Sequence, residues 1–319
     1  MDPDVAVAHY PEGAGHATRM LAVAKALEDR GATVRLAGGG PGETFVELNG
    51  YEEYVPATVD YIGDYQDGGN LLRVVTHSVP RSAKRVVDYA GWLRRTDPDA
   101  LVTDDMFAAM AATVTNTPLH VLTHNSPYFY DAVVEELFTW LLTEYQVVAS
   151  EQFLYPTVWP PCADDPAGVT RVPPIALDCD EDADVDPVDV LIVPSHYSDS
   201  FDALAAGLRE DGYSVTQVGS SDWEPVPAML PYLEAADVVV CSGYSTVMEA
   251  AVAGTPCVIW PFTDEQHGVS RVIEKGGVTG FQVEHSVPHV RRAVRNPPAA
   301  PSFENGATVA AERIFDALE

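Results

Sequence analysis

Seven residues near the start of the chain, Gly13-Ala14-Gly15-His16-Ala17-Thr18-Arg19, follow a short apolar run, Val5 to Ala8. Glycines at such a turn let the backbone approach a ligand closely. An imidazole at the mouth of the next helix, where the helix-end dipole acts on it, suits a general base. A second pair of chemical groups, Asp104-Asp105, closes another apolar run, Ala100 to Thr103. A carboxylate there can accept a bond from the far nitrogen of His16 and stabilise the imidazolium. It can equally cap the following helix. A dinucleotide-binding reading of the first turn fails twice. Thr18 stands where the third glycine belongs, and Ala37-Gly38-Gly39-Gly40 stands where an acidic residue should grip a ribose.

The second constellation runs from Trp223 to Gln266. The strand-like Val238-Val239-Val240 opens into Cys241-Ser242-Gly243-Tyr244-Ser245-Thr246, where a helix is expected to begin. Small and hydroxyl residues at a helix start expose backbone amides to an anion, with Ser245 and Thr246 adding donors, so this is a candidate seat for a diphosphate. Glu249, three residues after Thr246, reads either as half of a capping box or as a carboxylate for a ribose hydroxyl pair. Gly254-Thr255-Pro256 stops the helix, and Trp260 to Gln266 leads off the next strand.

The elements that must hold these groups alternate strand and helix throughout, the pattern of parallel α/β layers. Expected strands include Val5–Ala8, Thr33–Leu36, Ala100–Thr103, Leu119–Leu122, Val188–Val193, Tyr213–Val218, Val238–Val240 and Cys257–Trp260. Helices are expected near Ala17–Arg30, Phe201–Arg209, Thr246–Ala253 and Asn305–Leu318. The segment Ala132–Val148 places Val134, Leu137, Phe138, Leu141, Leu142 and Tyr145 at helical spacing. It reads as a helix whose apolar face packs on a sheet, or alternatively as a surface that meets a lipid acceptor or membrane. A Pro- and Asp-rich lapse, Asp178 to Pro187, divides the chain into 1–180 and 187–319. Its carboxylates read as a solvated linker and not as a metal site.

Length and composition agree with two domains. The chain has 319 residues, 46% of them hydrophobic. Its formal charge is −30, with 48 acidic residues against 18 basic ones. Such a surface repels phosphate backbones and anionic headgroups, which argues against nucleic acid as a partner. Molar salt shrinks the Debye length to about 3 Å and relieves the self-repulsion, and the acid-rich, lysine-poor composition resembles proteins of extreme halophiles. Four cysteines show no paired spacing, so neither a disulfide framework nor a zinc site is expected. No leader or spanning segment is visible, and a cytoplasmic location follows as the expectation, with a peripheral membrane contact left open.

The run Trp223 to Gln266 resembles the donor-binding box of glycosyltransferases with two facing Rossmann-like domains, the GT-B architecture. The pattern W-x-P, H-C-G-W-N-S-x-x-E, G-x-P and D-Q of the plant enzymes lies over it without a gap, and Gly-x-Gly-His-Ala-x-Arg is similar to the opening motif of an archaeal and bacterial branch. Cell-wall N-acetylglucosaminyltransferases share the same superfamily. The resemblance implies that Trp223 stacks a uracil, Gly243 with Tyr244, Ser245 and Thr246 seats the diphosphate, and Glu249 binds the ribose. It implies that Glu265-Gln266 grips the donor sugar, that Gly15 and Ser242 border the donor, and that His16 is the base oriented by Asp104. Cys241 stands where the plant box has a histidine, and Glu265 where it has an aspartate. The expected activity is an inverting, metal-independent transfer from a nucleotide sugar, a UDP-sugar, to an acceptor hydroxyl, with no cofactor and with a lipid-linked acceptor left open. A nucleotide-sugar 2-epimerase and a non-catalytic nucleotide-sugar-binding protein are the alternatives.

Overall fold

The computed structural model describes residues 2–57, 79–179, 183, 185–194 and 200–318. Within them the chain forms two parallel sheets. The first contains β1 (Asp4–Ala8), β2 (Thr33–Ala37), β3 (Glu53–Tyr54), β4 (Ala100–Thr103), β5 (Leu119–Leu122), β6 (Gln152–Pro156) and β7 (Thr170–Val172), in the order 3-2-1-4-5-6-7. The second contains β8 (Val188–Val193), β9 (Val215–Gln217), β10 (Ala236–Cys241), β11 (Cys257–Ile259) and β12 (Phe281–Val283), in the order 12-11-10-8-9. The helices are α1 (Ala14–Glu28), α2 (Glu43–Leu48), α3 (Val79–Thr96), α4 (Met106–Thr115), α5 (Val133–Ala149), α6 (Ser200–Glu210), α7 (Leu230–Glu234), α8 (Tyr244–Ala253), α9 (Asp264–Gly276), α10 (Val287–Arg295) and α11 (Gly306–Leu318). The expected α/β fold of two facing Rossmann-like layers is the one observed.

Alternation along each strand feeds both faces of its sheet. In β1, Ala6 and Ala8 join a core with Tyr89, Trp92, Leu101 and Phe107. Val5 and Val7 point the other way, among Met20, Leu21, Val102 and Ile314. That second core includes Ala307, Ala310 and Ala311, so the last helix lies against α1 although it follows the second sheet in sequence. Parallel strands covered on both faces explain why the central ones read as unbroken apolar runs.

Two helix starts differ from the expectation in a way that matters. Helix α1 begins at Ala14, three residues earlier than expected, because Gly13 takes a left-handed φ of 81° and ends the preceding loop. Helix α8 begins at Tyr244 with Gly243 as its N-cap. His16 and Thr246 are therefore each third in their helices, and no side chain caps α8, which removes the Thr246–Glu249 capping box. A capping box does form at the start of α9, between Thr263 and Gln266.

Helix α5 is inverted relative to the packed reading of its stripe. Val134, Leu137, Phe138 and Leu141 are all more than half exposed, while Thr139, Thr143 and Gln146 are buried. The face that meets the protein is the polar one, and Tyr145 joins it by hydrogen bonds to the Thr113 hydroxyl and the Ala109 carbonyl. Among the described residues no helix is long and apolar enough to cross a membrane. Part of the acidic run from Asp178 to Pro187, namely 180–182 and 184, lies outside the described residues.

Candidate active site

In doubly wound sheets a crevice opens at the carboxyl ends of the strands where the order reverses. In the first sheet that point lies between β1 and β4, and in the second between β8 and β10. The loops after β1, β8 and β10 line one cleft of about 710 Å³, and Asp104, at the end of β4, stands behind its wall. From the first half come Gly13, Gly15, His16, Phe45 and His124. From the second come Pro194, Trp223, Met229, Gly243 to Thr246, Glu249, Glu265 and Gln266.

His16 Nδ1 lies 2.8 Å from Asp104 Oδ2. An ionised carboxylate only accepts, so Nδ1 donates and Nε2 is left as the ring's basic nitrogen. Tyr10 packs edge-on against the ring, with centroids 5.4 Å apart. Asp104 also accepts from the Tyr10 amide at 2.8 Å and from Arg19. Burial pushes its carboxyl up, but the neighbouring His16 and Arg19 and these bonds hold it down at about 2. The adjacent carboxylate does the other job considered for the pair. Asp105 caps α4 by accepting from the Phe107 amide, and it binds the fully buried Arg85 at 2.8 Å.

Across the cleft, the first bond of α8 runs from the Val247 amide to the Gly243 carbonyl. The amides of Tyr244, Ser245 and Thr246 therefore have no acceptor within the helix, and all three residues line the cleft. An added Cβ on Gly243 would meet nothing within 4 Å, so the loop leaves open space for a ligand. The start of α1 reaches the same helix: a Cβ on Gly15 would lie 2.1 Å from Ser245 Oγ. Glu249 is 8% exposed, and among the described residues nothing is bonded to its carboxylate. Burial raises that carboxyl to about 7 against the pull of Arg19. Trp223 lies on the cleft wall with its ring edge-on to Tyr232 at 5.0 Å.

Ser242, expected to border the donor, is on neither the cleft wall nor the His16–Asp104 pair; it is buried. The thiol of Cys241 is also turned inward, 3.4 Å from that of Cys257, and it does not replace the histidine of the plant box. Gln266 spends its side-chain oxygen on the Phe262 and Thr263 amides, which leaves its NH₂ group for a ligand. Two side chains enter without having been expected. His124, two residues past β5, bonds Glu265 at 2.8 Å and stacks on Tyr244; Arg19 lies between His124 and Asp104. His124 follows the same strand-end logic as Asp104, which is the signal that could have found it, whereas Arg19 sits one turn into α1. Among the described residues no cluster of three or more His, Cys, Asp or Glu could hold a metal ion.

The architecture and this cleft define a GT-B type α/β fold with a two-sided site. No protein-family model matches the chain. A Caenorhabditis elegans protein bearing the name of a UDP-glucuronosyltransferase is 37% identical over 82 residues, which is 26% of this chain and 15% of that protein. The chain thus spans a small part of such relatives' length. An uncharacterized glycosyltransferase of Methanosarcina acetivorans is 24% identical over 87% of this chain and 84% of its own. Among solved structures, the glycotransferase of kitacinnamycin matches with a TM-score of 0.65 and 17% identity over 100% of this chain and 94% of its own. A Streptomyces glycosyltransferase in complex with thymidine diphosphate matches at 0.62 and 15% identity, over 99% and 95%. At these identities the likeness to solved structures shows the fold.

Proposed function

We propose that the chain transfers a sugar from a nucleoside-diphosphate donor, a UDP-sugar, to an acceptor hydroxyl, with inversion at the anomeric carbon and without a metal ion. The observation that carries this reading is the His16–Asp104 pair facing, across one cleft, the three amides at the start of α8 that have no acceptor within the helix. His16 Nε2 takes the proton of the acceptor hydroxyl while Nδ1–H stays on Asp104. The acceptor oxygen bonds to the anomeric carbon as the bond to the diphosphate breaks. The departing charge is met by the amides of Tyr244, Ser245 and Thr246 and by the two hydroxyls. Trp223 stacks the base, the carboxylate of Glu249, unbonded among the described residues, accepts from the ribose hydroxyls, and Glu265 and the Gln266 NH₂ group hold the sugar.

The worm relative's name supports a uridine donor, and the diphosphate held by the Streptomyces neighbour supports a diphosphate seat. The opening motif fits the archaeal-type branch, and the charge of −30 fits a halophilic cytosol. A lipid-linked acceptor would give the exposed apolar face of α5 a neighbour. The test is turnover of nucleotide sugars with a panel of acceptor alcohols in molar KCl, for the wild type and His16→Ala. A positioned general base supplies about 10²–10⁴-fold, so His16→Ala should lose that much rate while binding UDP as before. Full activity in His16→Ala refutes the base assignment. Sugar interconversion without acceptor identifies an epimerase instead, and tight UDP binding without any turnover identifies a binding protein.

A further inference from the structure

The transfer step leaves His124 without a part, yet its ring is held on three sides. One face lies on the Tyr244 ring, with centroids 3.5 Å apart and planes 8° from parallel. Nε2 is 2.8 Å from Glu265 Oε1, and Nδ1 is 3.5 Å from an Arg19 Nη1. A guanidinium can only donate, so Nδ1 accepts and the ring proton sits on Nε2, pointed at Glu265. Burial lowers the pKa of His124 despite the carboxylate beside it, which keeps the ring in this neutral form. The other end of Arg19 donates to Asp104 Oδ2, the same oxygen that His16 bonds. The result is a connected series whose donors run outward from Arg19: Arg19 gives to Asp104 on one side and to His124 on the other, and His124 gives to Glu265. It begins at the carboxylate that orients His16 in the first half and ends at a carboxylate on the cleft wall in the second.

We propose that His124 is a positioning residue that fixes Glu265 for the donor sugar, an assignment that rests on the donor reading above. With Oε1 occupied by His124, Glu265 presents Oε2 to a sugar hydroxyl. The Tyr244 ring beneath His124 belongs to the loop that seats the diphosphate. The carboxylate is thereby held in a fixed relation to both the diphosphate and the His16–Asp104 pair.

The experiment compares affinities for UDP-glucose and for UDP, by calorimetry in molar KCl, in the wild type, His124→Phe and His124→Gln. Phenylalanine keeps the stack on Tyr244 and removes both hydrogen bonds. Glutamine keeps one donor and one acceptor. A hydrogen bond to a charged group supports about a tenfold effect. His124→Phe should therefore weaken UDP-glucose about tenfold and leave UDP within twofold. His124→Gln should recover most of the loss, and His124→Phe should add nothing in a Glu265→Ala background. Equal weakening of both ligands marks a purely structural residue and overturns the assignment, as does unchanged UDP-glucose affinity in His124→Phe. Wild-type protein that binds neither ligand overturns the uridine-donor reading itself, a result distinct from either of these.

Discussion

Glu249 is the residue whose environment makes the sharpest demand. It lies 8% exposed on the cleft wall, unbonded among the described residues, with burial lifting its carboxyl from an ordinary 4.5 to about 7. Between those two values the folded chain holds a proton that the unfolded chain has released. The stability of the empty protein therefore falls, through this group, as pH rises from 4.5 through 7, and is flat above. At 1.36 kcal/mol per pH unit the full loss at pH 8 is about 3 kcal/mol. Glu249→Gln keeps the shape and removes the titration. It should melt several degrees above the wild type at pH 8 and match it below pH 4.5, at constant molar KCl. The difference between the two melting curves across pH isolates this carboxyl from the titration of the acidic surface. UDP should reverse the order at pH 8, because only the ionised carboxylate offers two acceptors to the ribose, and binding stabilises in proportion to the logarithm of affinity. A difference curve that is flat with pH, or a Glu249→Gln protein that melts lower at pH 8 without ligand, would refute the reasoning.

Asp104→Asn keeps the outline of the side chain but leaves Arg19 without its buried counter-charge. It should cost about 3–5 kcal/mol in melting experiments. Measured where the protein is still folded, turnover should drop about 10²–10⁴-fold, and retention of a tenth of wild-type turnover would sink the orienting role. Gly15→Ala places a Cβ 2.1 Å from Ser245 Oγ and 2.6 Å from its Cβ, so α1 and α8 must move apart; turnover should fall at least tenfold, and unchanged kcat/KM would show that the close approach is dispensable. Gly268→Ala meets the Phe129 backbone at 2.4 Å, which no rotamer change relieves, and should lower stability by about 1–3 kcal/mol in denaturant titration.

Much of the fold and about half of the site's logic were legible in the residues. Short unbroken apolar runs such as Val5–Ala8 and Ala100–Thr103 announce parallel strands covered on both faces, and the groups just after them must sit at the sheet's carboxyl edge. That is why His16 and Asp104 could be named, although their contact, 88 residues apart in sequence, could not. Helical periodicity in α5 was equally plain but says only that one face differs from the other. Whether the apolar face or the one with Thr139, Thr143 and Gln146 turns inward depends on neighbours that periodicity does not encode. A shift of two residues in the start of α8 moved Thr246 off the N-cap and removed the capping-box reading of the Thr246–Glu249 pair. His124 escaped for a different reason: it carries no glycine signature, and its partner Glu265 is 141 residues away in the other half. Yet it obeys the rule that exposed the others. Three positions of the site stand one or two residues beyond a central strand's carboxyl end, Asp104 after β4, His124 after β5 and Gly243 after β10, while His16 is carried by the helix that follows β1. The site is therefore a property of the two strand edges, and each turn supplies the residue that the edge has already positioned.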